Sequence, residues 1–253
     1  MIAQERRQRI TEIVQQKGTI STKELSEMLS VSEMTIRRDL DYLNKQSSIV
    51  KHFGGASDRS VYVISGTDFS KRLSDHDAEK RTIAAKAQEL ISEGESIFLD
   101  HATSCIYLAR ELAHFSDLTV ITYSIPIIQE LQKTRVKVIG IGGILLQPNE
   151  CFIGPLAEEM ISRFHGNKVF LGAQGIDMDK GLSIADLFEV NMKLLMADRS
   201  DEVIVLADHT KFQKHGLYPN VPIQKINTII TDGATDAELI RQGEERNIRM
   251  IVA

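Results

Sequence analysis

The chain has 253 residues, 42% apolar and 26% charged, with a formal net charge of −5, the balance of a soluble globular protein with room for a real core. No apolar run approaches the roughly 20 residues a bilayer span needs, and Met1–Arg7 runs into a charged amphipathic pattern rather than a signal peptide. Cys105 and Cys151 are too few for a disulfide framework and lack metal-knuckle spacing, so a cytoplasmic protein with no membrane association is expected.

The charge is unevenly shared. Residues 1–57 hold nine Lys/Arg against seven Asp/Glu, and the remainder holds 21 against 28. An acidic body repels DNA phosphates and leaves a short, mildly basic module to make any contact with nucleic acid.

Ile2, Ile10, Ile13 and Val14 mark one face of a first helix over roughly 2–17, ended by Gly18. Ser21-Thr22-Lys23-Glu24 has capping-box spacing and opens a short second helix through Leu25, Met28 and Leu29. Ser30-Val31 makes a tight turn, and Ser32 is the N-cap of a third helix reaching about Lys45. Two short capped helices so closely joined read as a helix-turn-helix. On the third helix Ile36, Leu40 and Leu43 form the buried stripe. Met34 and Arg38 point away from it and Thr35 and Arg37 flank them. Polar groups and arginines on the N-terminal half of such a helix are placed for a groove, and Arg grips guanine or phosphate at two points. Beyond Ser47-Ser48, Ile49–Phe53 with Lys51 and His52 reads as a strand or wing with a basic edge, closed by Gly54-Gly55. The competing reading is a helical protein-interaction module whose arginines pair with Asp39 and Asp41 on their own helix.

Val31–Leu40, VSEMTIRRDL, resembles the recognition segment of the DeoR family of transcriptional regulators, and Lys51–Ala56, KHFGGA, resembles its wing ending. Lys51 stands where the family usually has Arg, and Phe53 where it has His. The resemblance makes residues 1–57 a winged helix-turn-helix. Thr22, Ser32, Met34, Thr35, Arg37, Arg38, Lys51 and His52 are its expected DNA contacts.

Residues 58–76 read as a linker packed on the second domain, with a β-prone cluster at Val61–Ile64. Residues 77–253 begin with a helix from about Asp77 to Ser92, its inner face formed by Ile83, Ala87, Leu90 and Ile91. Short apolar runs at 96–99, 118–121, 136–139, 168–171, 203–206, 228–230 and 249–252 then alternate with helical stretches at 103–113, 124–133, 187–199 and 235–247. That alternation predicts an α/β domain with a mostly parallel sheet covered on both faces. Ligands of such sheets bind outside the C-terminal strand ends. The residues gathered there are Asp100, His101, Ala102, Thr103 and Ser104; Tyr123 and Ser124; Gly142 and Gly143; Gly175 and Asp177; and Asp208 and Lys211. Hydroxyls and helix-start amides suit a phosphate, carboxylates suit sugar hydroxyls, and Lys211 adds charge. Each Ser or Thr is also an ordinary N-cap.

This half resembles the DeoR sensor domain, which is similar to ribose-phosphate isomerases in fold. Phe98–Asp100 with Thr103-Ser104 resembles its phosphate loop, Ala102 standing in place of the usual Gly. Phe170–Gly172 with Gly175–Asp177 and Gly181, Glu189 with Lys193, and Asp208–Phe212 resemble its later blocks. The resemblance implies a non-enzymatic repressor of a carbohydrate-metabolism operon that needs no cofactor. A phosphorylated sugar or sugar derivative would weaken its hold on double-stranded operator DNA. Glu189 and Lys193 join the expected ligand contacts.

One DNA module reads one half-site, so a homo-oligomer, dimer or tetramer, is expected. A sugar-phosphate isomerase with an accessory DNA-binding module is the alternative, with Asp177, Glu189 and Lys211 cast as its acid–base groups. A dinucleotide site is excluded because position 145 is Leu where the third glycine would fall. A metal on the pairs Asp100-His101 and Asp208-His209 lacks a third ligand at suitable spacing, so none is expected.

Overall fold

A computed structural model describes residues 3–17, 19–46, 49–52, 55–58, 69–185, 189–212 and 214–253. Gly18, Ser47-Ser48, Phe53-Gly54 and the β-prone cluster 61–64 lie outside them. The chain divides into two compact units, Met1–Val63 and Ile64–Ala253.

The first unit runs α1 (Ala3–Lys17), β1 (Thr19–Ser21), α2 (Thr22–Leu29), α3 (Glu33–Lys45), β2 (Ile49–His52) and β3 (Gly55–Asp58). Ser21 closes the full capping box with Glu24. Ser30, at φ 53°, ends α2 in the left-handed region, and Ser32 accepts from the Thr35 amide to start α3. The expected wing is a β2–β3 hairpin to which β1 adds a third antiparallel strand. Gly55 opens β3 rather than closing the wing. Ile10, Val14, Ile20, Leu25, Ile36, Leu40 and Ile49 form the core. Arg6 and Arg7 of α1 both reach the buried Asp39 of α3, at 2.6 and 2.8 Å.

The second unit opens with α4 (Phe69–Ser74), α5 (Asp77–Gln88), β4 (Ser96–Leu99), α6 (Thr103–Glu111), β5 (Thr119–Thr122), α7 (Ile125–Leu131) and β6 (Lys137–Gly140). It continues with β7 (Ile144–Leu146), β8 (Cys151–Ile153), α8 (Pro155–Ser162), β9 (Gly166–Gly172), β10 (Gly175–Asp177), β11 (Gly181–Ile184) and α9 (Val190–Asp198). β12 (Ser200–Leu206), β13 (Tyr218–Pro222), β14 (Thr228–Thr231), α10 (Ala237–Glu245) and β15 (Arg249–Val252) complete it.

Seven parallel strands form the main sheet in the order β15-β14-β12-β9-β4-β5-β6. Alternate side chains feed two apolar layers. Ile97, Leu99, Phe170, Ile204 and Ile230 pack with α5, α6 and α7. Phe98, Val169, Leu171, Val205 and Ile229 face the other way, with Ile161, Met192 and Met196 of α8 and α9. Burial on both faces explains why these strands are continuous apolar runs.

Two features depart from expectation. Part of the supposed linker is α4, whose Phe69 and Leu73 pack on the layer of Ile97, Leu99 and Phe170 with α5–α7. The buried Lys80 amine of α5 donates to the carbonyls of Arg72, Leu73 and Asp75, closing the end of α4. Burial and the nearby Lys211 lower the Lys80 amine to about 8. The chain past Gly172 forms no strand-end loop either: β10, β11 and β13 make a separate antiparallel sheet.

Candidate functional site

On α3 the predicted division of faces is present. Ile36, Leu40 and Leu43 are buried, while Met34 is 61% exposed and Ser32, Arg37 and Arg38 stand in solvent. Thr35 is half-buried, its hydroxyl 3.0 Å from that of Ser32. Arg37 makes one loose pair with Glu33 at 3.4 Å, and Arg38 makes none among the described residues. The intrahelical pairing with Asp39 and Asp41 is absent: Asp39 is held by α1, and Asp41 takes the Lys51 ammonium at 2.6 Å. Lys51 also donates its amide to Asn44, which ties the wing strand to the end of α3. His52 ends β2, and its side chain lies outside the described residues. Thr22 needs correction: at 5% exposure behind the Ser21 cap, it offers its hydroxyl to no groove.

In the second unit the chain leaves β4 toward β5 and β6, then returns on the other side of β4 with β9. The strand order therefore reverses between β4 and β9, the place where an open α/β sheet leaves a crevice. Asp100 follows β4 there and is wholly buried. Its Oδ2 accepts from the Lys193 ammonium at 2.5 Å and the Gly172 amide at 3.0 Å. Its Oδ1 accepts from the Tyr123 hydroxyl at 2.5 Å and the His101 amide at 2.9 Å, with His101 Nδ1 at 3.0 Å. Lys193 donates again to the Gly172 carbonyl at 2.6 Å. Burial pushes the Asp100 carboxyl up, but the Lys193 ammonium and His101 outweigh it and hold the group well below the carboxylate range. Asp100 is thus a hub that ties β4, β5, β9 and α9 together; both oxygens are already spent, so sugar hydroxyls find no free acceptor on it.

His101, 3% exposed, turns Nε2 toward Glu189 Oε2 at 3.4 Å. Against the effect of burial, Glu189 and Asp100 raise the imidazole to about 9. Glu189 precedes α9, is wholly buried, and takes the Asn149 amide on Oε1; Arg72 in turn donates to Asn149 Oδ1 at 2.6 Å. Burial raises the Glu189 carboxyl, and the stronger pull of His101 and Lys193 lowers it overall.

What remains open at the switch point is the start of α6. Ala102 caps that helix with no side-chain hydrogen bond. The amides of Ala102, Thr103 and Ser104 meet no acceptor among the described residues, and Ala102 and Thr103 are half-buried rather than sealed. These are orphan donors at the positive end of a nine-residue helix.

The other expected contacts are employed elsewhere. Tyr123 and Ser124 are fully buried, Ser124 as the N-cap of α7. Asp177 Oδ1 accepts from the Asp179 and Lys180 amides at 2.9 and 3.1 Å, closing the β10–β11 turn. A Cβ on Gly175 would lie 2.2 Å from the Lys214 carbonyl, so that glycine serves backbone packing. Gly142 faces open space, and Gly143 presses on the Ile153 carbonyl and Ala157. Asp208 accepts from the Thr210 amide at 3.0 Å and pairs with Lys211 at 3.3 Å. It follows β12, two strands from β4, about 10 Å at ordinary strand spacing. The Asp100-His101 and Asp208-His209 pairs therefore do not meet, β9 lying between them. Asn149, Cys151 and Arg72 were not anticipated in this neighbourhood, having no motif and lying far from it in sequence.

Residues 6–60 match the DeoR-like helix-turn-helix domain, and residues 75–233 match the DeoR C terminal sensor domain. The chain belongs to the DeoR family. The uncharacterized HTH-type transcriptional regulator YulB of Bacillus subtilis is 36% identical over 99% of this chain and 96% of its own length. The glycerol-3-phosphate regulon repressor of Escherichia coli K12 is 32% identical over 95% of each chain. A putative aga operon transcriptional repressor of Escherichia coli O157:H7 is 29% identical over 98% of this chain and 93% of its own. Among solved structures, ribose 5-phosphate isomerase A from Methanocaldococcus jannaschii covers 55% of this chain and 55% of its own length at 15% identity. Its TM-score is 0.42, a likeness too distant to carry an argument about activity. Among the described residues no helix is long and apolar enough to cross a membrane.

Proposed function

We propose that this DeoR-family chain is a cytoplasmic, non-enzymatic repressor of a carbohydrate-metabolism operon, released from its operator by a phosphorylated sugar or sugar derivative. The reader is the N-terminal half of α3, where Met34, Thr35, Arg37 and Arg38 enter a major groove and the β2–β3 wing lies along the backbone. The observation that carries the effector reading is the uncapped start of α6 at the switch point. The amides of residues 102–104 and the hydroxyls of Thr103 and Ser104 suit a phosphate dianion, which the helix dipole favours. The glycerol-3-phosphate regulon repressor among the relatives supports an effector of this class. Two copies of the chain would read two half-sites.

An isomerase is disfavoured by the same geometry. Its proposed base Asp177 closes a turn, Glu189 is sealed at 0% exposure, and Lys211 is paired with Asp208. Thermal denaturation against a panel of sugar phosphates and the matching free sugars tests the reading. One phosphorylated compound should raise the melting temperature while its free sugar does not. Turnover of any panel member, or no stabilisation by any, contradicts it.

A further inference from the structure

His101 Nε2 and Glu189 Oε2 face each other 3.4 Å apart inside the protein, and Oε2 meets no hydrogen-bond donor within normal geometry. The other imidazole nitrogen, Nδ1, sits 3.0 Å from Asp100 Oδ1 and 2.9 Å from the Tyr123 hydroxyl. Nδ1 is thus engaged, and Nε2 is the ring nitrogen left to face the carboxylate. A neutral Nε2 and a carboxylate so placed can share one cation between them.

A proton on Nε2 makes the contact an ion pair in the metal-free protein, at a separation longer than the about 2.7–2.9 Å of a closed charge-assisted hydrogen bond. Two ligands bound at about 2.0–2.1 Å to one tetrahedral metal lie about 3.3–3.4 Å apart. The His101–Glu189 separation therefore also suits two ligands of one ion. A third donor is at hand: Cys151 Sγ, at the start of β8, lies with the His101 and Glu189 ligand atoms in a group that spans no more than 4.8 Å. Closing that group around an ion needs a contraction of about 1 Å in its longest edge.

We infer that His101, Cys151 and Glu189 form a binding site for one divalent transition-metal ion of the zinc type. Imidazole nitrogen, thiolate and carboxylate together select zinc-like ions over calcium or magnesium, which take oxygen ligands. Outer partners hold two of the ligands as metal sites require. Asp100 and Tyr123 fix Nδ1 of His101, and the Asn149 amide occupies Glu189 Oε1, leaving Oε2 for the ion. Binding sends the Cys151 thiol proton, and any proton on Nε2, to solvent. The three ligands come from the loop after β4, from β8 and from the residue before α9, so an ion ties three distant segments together beside the α6 start. This goes beyond the regulator reading and does not depend on it.

Cobalt(II) is the probe. Titrated into metal-stripped full-length protein, it should give tetrahedral d–d bands and a thiolate charge-transfer band that saturate at one equivalent and are displaced by Zn²⁺. Zn²⁺ at 100-fold excess over its Kd should raise the melting temperature by about 5–10 °C. Cys151→Ser should lose the charge-transfer band, Glu189→Gln should weaken binding at least about 10-fold, and Cys105→Ser should match wild type. Circular dichroism of each metal-free variant checks that it is folded. The absence of cobalt bands with no zinc stabilisation in wild type, or a charge-transfer band that survives Cys151→Ser, overturns the proposal. Neither result bears on operator binding, so the regulator reading stands or falls separately.

Discussion

Lys193 of α9 places its ammonium 2.5 Å from Asp100 Oδ2 and 2.6 Å from the Gly172 carbonyl, bridging the ends of β4 and β9 where the sheet reverses. Both charges are almost completely buried. Lys193→Met strands the Asp100 carboxylate and should cost about 3–5 kcal/mol in urea unfolding. Asp100→Asn combined with Lys193→Met should cost clearly less than the two single changes added together. Additive single effects would show that the pair does not couple.

On α3 the proposed DNA-reading face and the folding contacts fall on different residues. Arg38 is exposed and unpaired among the described residues, so Arg38→Ala should leave the melting temperature unchanged and weaken operator binding by about 1–3 kcal/mol. Asp39→Ala next to it leaves Arg6 and Arg7 without their buried partner and should destabilise the first unit by about 3 kcal/mol or more. Operator affinity at the wild-type level in folded Arg38→Ala would remove α3 from the interface.

Asp208 contributes to acid sensitivity. Burial raises its carboxyl, but Lys211, Thr210 and His76 together lower it below the ordinary value of 3.8. A folded-state value below the unfolded one gives stability that is present above about pH 4 and lost as pH falls through the folded value. Asp208→Asn should therefore be less stable than wild type at pH 7, and the gap should narrow steadily below pH 4. A gap independent of pH would contradict the charged role.

Gly172 passes so close to the loop after β4 that a Cβ there would lie 2.1 Å from that of Ala102. Gly172→Ala should destabilise by about 1–3 kcal/mol through overpacking, and adding Ala102→Gly should recover much of the loss. No recovery in the double variant would mean that the clash lies elsewhere.

The main sheet was legible because its strands are buried on both faces and read as unbroken apolar runs bounded by capped helices. Ser21, Ser32 and Ser124 announced their helices for the same local reason. The β10–β11–β13 sheet was not legible: Gly175–Asp177 and Gly181–Ile184 are only three and four residues long, and their partner Tyr218–Pro222 lies far along the chain. Asp100 was legible as a strand-end residue, but its neighbours changed its meaning. Lys193, Tyr123 and Gly172 converge on it from three other elements, a fact no spacing encodes. Cys151 and Asn149 were invisible for the same reason, since 48 or more residues separate each from His101 and from neither side does a motif point to them. The burial of Lys80 was not legible either, because the carbonyls it caps belong to α4 and its end, in the stretch read as linker.

In the proposed regulator, one chain couples DNA reading to sugar-phosphate binding. Fluorescence anisotropy of labelled DNA from upstream of the protein's own gene, titrated with protein and then with sugar phosphates, tests it most directly. The expected result is sequence-preferring binding that one phosphorylated compound weakens by roughly 5- to 150-fold, the span of a coupling of about 1–3 kcal/mol. Saturation by a sugar phosphate with no change in operator affinity, or no preference for any DNA sequence, would contradict it.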